Sequence, residues 1–92
     1  LELCVLALLH ERDCYDYENP TAVKGIDIAN GTVYPILRKI KADGLLTTYL
    51  QEEIGGPPRK YYRLTELGRE TYSNDRAEYL KFANSVRMLL EG

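Results

Sequence analysis

The sequence predicts a mainly α fold with one small β-hairpin, and three patterns lead there. An amphipathic helix spans about 30–43, two alternating runs flank a Gly-Gly-Pro-Pro turn over about 46–64, and a long helical pattern fills 66–92. Element order assigns residues 1–65 to one compact unit and 66–92 to a single helix that follows it.

The first helix is apolar on nearly every side, through Leu1, Leu3, Cys4, Val5, Leu6, Leu8 and Leu9. Such a helix is expected to bury two faces, one on its own core and one on a partner. The chain begins at Leu1 inside this apparent helix without a starting methionine, so further N-terminal residues are expected. A second helix should continue from the paired tyrosines Tyr15 and Tyr17, but Asn19-Pro20-Thr21 interrupts it. Proline in a helix interior costs about 3 kcal/mol, so this helix is expected to be short, bent, or to start at Pro20.

In the third helix Val33, Ile36, Leu37 and Ile40 form one buried stripe. The opposite face carries Gly31, Tyr34, Pro35, Arg38 and Ala42, flanked by Lys39 and Lys41, with no carboxylate before Asp43. Asn30 or Thr32 can cap its start in place of Ala29, and Gly44 supplies the left-handed stop. Pro35 removes one backbone donor, so the first turn is expected to be irregular or to begin near Thr32.

Beyond Gly44 the period changes to two. Leu46, Thr48 and Leu50 alternate with Thr47 and Tyr49, and Tyr62 and Leu64 alternate with Tyr61 and Arg63. The parity of Leu64 places Tyr62 in the core and Tyr61 outside. The connection from Gln51 to Pro58 is too long for a two-residue turn and should protrude, with Arg59, Lys60 and Arg63 directly after it. A basic helix followed by a protruding hairpin is the order of a winged helix-turn-helix, in which one helix enters the DNA major groove.

Thr65 is placed to cap a last helix that runs to about Leu90. Its stripe is Tyr72, Tyr79, Phe82, Ala83, Val86, Leu89 and Leu90, near-heptad and broken at Asp75 and Arg76. A helix of some 25 residues is about 37 Å long, more than so small a domain can cover. The exposed stripe is expected to meet a second copy.

The run Gly31-Thr32-Val33-Tyr34-Pro35, the helix end Asp43-Gly44-Leu45, and the block from Gly55 to Thr65 with Gly68 resemble the PadR family of bacterial transcriptional regulators. The short leucine-rich start, Leu6 to Leu9, and the two tyrosines resemble that family's first two helices. Asp16, between the tyrosines, departs from the glycine common there. The resemblance implies a homodimeric repressor with a wing on each subunit and a C-terminal dimerisation helix. It also implies a small planar aromatic effector at the seam of the last and first helices, where Leu3, Leu6, Tyr79, Phe82, Val86 and Leu89 would stand. Ordinary dimer packing without a cavity is the competing reading, and the lack of tryptophan weakens a multidrug pocket.

Thr32, Tyr34 and Arg38, near the helix start, are assigned to base edges or adjacent phosphates, Arg38 being the best guanine partner. Lys39, Lys41, Arg59 and Lys60 are assigned to phosphates. For Tyr34 the bland alternative is a half-buried ring on Pro20 or Tyr17. The net charge of −2 argues against a nucleic-acid binder until its distribution is read. Residues 1–31 hold six acids against two bases, and residues 32–69 hold seven bases against four acids. Such polarity gives one cationic side to present to DNA, and two-fold pairing through the last helix predicts a palindromic operator.

Cys4 and Cys14 are unclustered and read as reduced structural thiols, which implies a cytoplasmic location. The apolar run Leu3–Leu9 is too short to span a bilayer and lacks a basic leader, so neither anchor nor signal peptide is expected. No cofactor or metal is expected. The lone His10 has no nucleophile, acid pair or ligand spacing around it, which argues against an enzyme. A winged helix serving only as a protein-interaction module is the alternative function, because fold does not fix function.

Overall fold

A computed structural model of the chain describes residues 1–15 and 30–92. The elements are α1 (Glu2–Glu11), β1 (Cys14–Tyr15), α2 (Asn30–Ala42), β2 (Leu46–Gln51), β3 (Arg59–Leu64) and α3 (Glu66–Glu91). The expectations placed on Asp16, Tyr17, Asn19-Pro20-Thr21 and Ala29 lie outside the described residues.

The α2 stripe keeps its sequence phase. Val33, Leu37 and Ile40 are buried and Ile36 is half-buried, whereas Gly31, Thr32, Pro35, Arg38, Lys39, Lys41 and Ala42 are exposed. The helix runs from Asn30 through Pro35 without the late start expected near Thr32. Pro35 lies on the exposed side, so the Gly31 carbonyl that loses its partner is at a solvent-facing position.

Its end is built by backbone bonds. Gly44 adopts φ +79°, its N–H donates to the Lys41 carbonyl at 3.0 Å, and the Leu45 N–H donates to the Ile40 carbonyl at 2.8 Å. This is the Schellman pattern, and its accompanying apolar contact is supplied by Leu45 and Ile40, both in the core.

The chain then enters a three-stranded antiparallel sheet of order β1-β3-β2. Leu46 faces Leu64, Thr48 faces Tyr62 and Leu50 faces Lys60 across the hairpin. Cys14 and Tyr15 pair with Tyr62 and Tyr61 on the other side of β3. Tyr15 is therefore a strand residue and not the start of a helix, a correction to the sequence reading. Two residues are too few to show an alternation.

Strand parity divides the sheet. One face sends Cys14, Leu46, Tyr62 and Leu64 into a core with Val5, Leu6, Leu9, Val33, Leu37, Ile40 and Leu45. Leu6 is wholly inside this core, so its place at a dimer seam is corrected. An all-apolar helix has no polar side to fix its phase, and the sequence could not tell Leu6 from Leu3, which is half-buried.

Thr65 caps α3 as expected, its hydroxyl oxygen accepting from the Gly68 N–H at 3.0 Å and donating to the Gly44 carbonyl at 2.7 Å. Beyond Tyr72, which stacks on His10 at 4.5 Å, α3 projects from the subunit. The longest molecular dimension is 58 Å. Tyr79, Phe82, Leu89 and Leu90 are 56–82% exposed, an apolar stripe with no cover from its own chain among the described residues.

Candidate nucleic-acid interface

The outer face of α2 is the centre of the site. Thr32, Arg38 and Lys41 are exposed, and no carboxylate among the described residues pairs with Arg38 or Lys41. Lys39 differs, since its ammonium donates to Asp43 at 3.0 Å and to Glu2 at 3.2 Å. The Asp43 bond, then the Glu2 bond, raise its pKa above the usual lysine value. Both pairs are exposed and worth little, so they hold the Lys39 ammonium only weakly. Tyr34 is half-buried and packs against the core; the Pro20 or Tyr17 partner of the bland alternative lies outside the described residues.

The hairpin separates cations that are adjacent in sequence. Lys60 shares the parity of Tyr62 and lies 5.3 Å from its ring, on the face of the sheet that packs on the helices. Arg59 has the opposite parity; its guanidinium lies over the Tyr15 ring at 4.6 Å and 3.9 Å from Glu53. Arg63, on the same outer face, is over Tyr49 at 4.8 Å and donates to Asp13 at 3.1 Å. The sequence grouped the three as one cationic tip, because adjacency in a strand hides that successive side chains point to opposite faces.

That outer face holds a row the sequence reading did not find. Tyr15, Tyr61 and Tyr49 lie side by side across the three strands, with ring centroids 5.8 and 5.4 Å apart. The Tyr49 hydroxyl donates to Asp13 at 2.6 Å, and this bond, followed by burial, raises the phenol pKa above its ordinary value. The shared parity of Tyr49 and Tyr61 was readable, but Asp13 carried no signal beyond being a polar residue after a helix.

At the tip, Ile54 is fully exposed and Gly55 takes φ +79°. An open cleft of about 650 Å³ lies between the tip and Tyr15, lined also by Leu50, Pro58 and Arg59. None of the expected effector-seam residues lines it. Both cysteines are free, and no group of metal-ligating residues occurs among the described residues. Nor is any helix among them long and apolar enough to cross a membrane.

A protein of Streptococcus mutans, smu.1704, is similar in structure with a TM-score of 0.85 and 35% identity, over 99% of this chain and 86% of that one. A PadR-like transcriptional regulator of Bacillus cereus matches with a TM-score of 0.86 and 28% identity, over 99% and 91%. Transcriptional regulator Rv3488 of Mycobacterium tuberculosis is 37% identical over 62 residues, 67% of this chain and 57% of that protein. The model of the transcriptional regulator PadR-like family matches residues 5–74, from the core helix α1 through the basic helix and hairpin to the start of α3. With the recognition helix, wing and projecting helix all in place, the chain belongs to the PadR-like family of winged helix-turn-helix, DNA-binding transcriptional regulators.

Proposed function

We propose that the protein is a homodimeric, cytoplasmic repressor that binds a palindromic operator and is released by a small aromatic or other effector. The observation that carries the DNA half is the exposed outer face of α2, where Arg38 and Lys41 stand without a paired carboxylate among the described residues. Thr32 and Arg38 address base edges with the edge of Tyr34 beside them, Lys41, Lys39 and Lys60 hold phosphates, and Arg59 reaches the backbone from the outer side of the wing. The exposed α3 stripe supports the dimer. Residues 1–65 form the DNA-binding unit and 66–92 the dimerisation helix. Leu3, Tyr79, Phe82, Val86 and Leu89 would line an effector space completed by the partner.

Titration of the duplex upstream of this protein's own gene tests the reading. A binder using several phosphates loses affinity by orders of magnitude from low to moderate salt. A salt-insensitive interaction, or none in dilute buffer, would favour the protein-interaction module instead.

Two substitutions separate readout from positioning. Arg38→Ala is expected to weaken operator binding by about 1 to 3 kcal/mol and to relax preference at one base pair. Equal losses on operator and random duplex would remove Arg38 from base readout. Lys60→Ala is expected to weaken all duplexes alike and to lower the slope of log affinity against log salt by about one; an unchanged slope would take Lys60 off the phosphate backbone.

A further inference from the structure

The geometry points to Asp13 as a positioning residue that fixes the pitch of the wing by tying its outer face to the end of α1; the inference rests on the DNA-binding reading above. The hairpin needs such a tie. On its inner face Leu46, Tyr62 and Leu64 are locked into the core, but from Leu50 to Lys60 no side chain is buried. A hairpin gripped on one face at its base can rock about that grip, and a small tilt at the base becomes a larger displacement at the tip.

Asp13 sits where it can prevent this. It occupies the two-residue link between α1 and β1, and its Oδ2 accepts from both hairpin strands, from the Tyr49 hydroxyl on β2 and from Arg63 Nε on β3. Tyr49 and Arg63 are diagonal neighbours across the ladder, Arg63 pairing with Thr47 and Tyr49 with Tyr61. One oxygen thus joins β2, β3 and the helix link. Charge-assisted bonds of this kind are the strong and directional ones, and the Asp13 side chain is only 24% exposed, which limits competition by water. The tyrosine row extends the tie to β1, since Tyr61 touches both Tyr49 and Tyr15. Arg63 is consequently held by the protein, and its role is to carry the latch, with phosphate contact left to Arg59, Lys60 and the α2 cations.

The latch also explains which helix the wing follows. β1, the strand beside β3, continues directly from α1, so the wing is referenced to α1, the helix on which α3 packs, as well as to α2.

The test is a double-mutant cycle read with a mixed-sequence duplex in dilute buffer. Asp13→Asn keeps the side-chain size and removes the charge, and is expected to weaken binding about tenfold, because misplacing a binding group by an ångström is enough for that. In a background carrying both Arg59→Ala and Lys60→Ala, where the wing has lost its phosphate contacts, the same change is expected to have an effect of less than about twofold. Tyr49→Phe, which removes one hydroxyl and leaves the ring, should act in the same direction with a smaller loss, and it carries the test if Asp13→Asn fails to fold. Amide exchange in β2 and β3 (Leu46–Gln51 and Arg59–Leu64), measured without DNA, should rise in both variants and stay unchanged in α3. Wild-type affinity in Asp13→Asn, or the same loss factor with and without the two wing cations Arg59 and Lys60, overturns the latch while leaving DNA binding intact; a wild-type protein that ignores duplexes overturns both.

Discussion

Replacing Gly68 with alanine is expected to destabilise the protein by about 3 kcal/mol or more, lowering the melting midpoint by more than about 10 °C. A Cβ built at Gly68 collides with the Leu45 carbonyl oxygen and presses on its carbon and on the Leu64 side chain. The obstacle is backbone and cannot step aside. The Leu45 carbonyl accepts from the Thr65 N–H at 3.0 Å, and the Leu45 N–H closes the α2 end through Ile40. Relief therefore requires opening the Schellman turn, the Thr65 cap, or both. For a domain of this size total stability is of the order of 10 kcal/mol, so the loss is a large share of it. Gly56→Ala is the control, having open space around it and no positive φ, and should change the midpoint by no more than a degree or two. If Gly68→Ala melts with the wild type, the start of α3 does not pack against the Leu45 carbonyl. The same close approach seats the start of α3 against Leu45 and Leu64.

The sequence made legible what repeats with a period. The α2 stripe, the glycine stop, the strand parity that buries Tyr62 and turns Tyr61 out, and the Thr65 cap all rest on local rules and stand in the structure. What it hid was set by tertiary contact. β1 is two residues long and exists because β3 offers an edge. Leu6 and Leu3 differ only in which neighbours reach them. Gly68 was visible as part of a motif, but the reason for it, close approach to a carbonyl more than twenty residues earlier, was not.

The candidate site shows the same division in charge. Counting cations placed Arg59, Lys60 and Arg63 together, whereas pairing sends Lys60 to the helix-packed face and leaves Arg59 and Arg63 stacked on tyrosines outside. Charge density along a strand overstates the cationic surface when alternate residues face apart. The helix escapes this error. Arg38 and Lys41 have no carboxylate partner among the described residues, while Lys39, one turn before Asp43, is held by it.

The other large effect concerns assembly. Phe82→Asp is expected to convert a dimer to monomers and to weaken operator binding by about a hundredfold or more, since a linked pair of half-site readers gains two to four orders of magnitude over a single one. Phe82 is 66% exposed in the isolated subunit, in a stripe with Tyr79, Val86 and Leu89. A carboxylate placed there would be buried without a cation in the assembled state. Val86→Asp should behave alike, and Ala77→Asp, adding the same charge to an exposed position on the opposite side of α3, should leave the dimer intact. Sedimentation equilibrium reads the first consequence and duplex titration the second. The two must move together, because a two-fold axis is what sets a pair of α2 helices about 34 Å apart, one turn of DNA. A Phe82→Asp protein that remains dimeric would displace the seam from this stripe. One that becomes monomeric yet holds its operator at full strength would mean that a single recognition helix and wing suffice, and that the palindrome is not read as a pair.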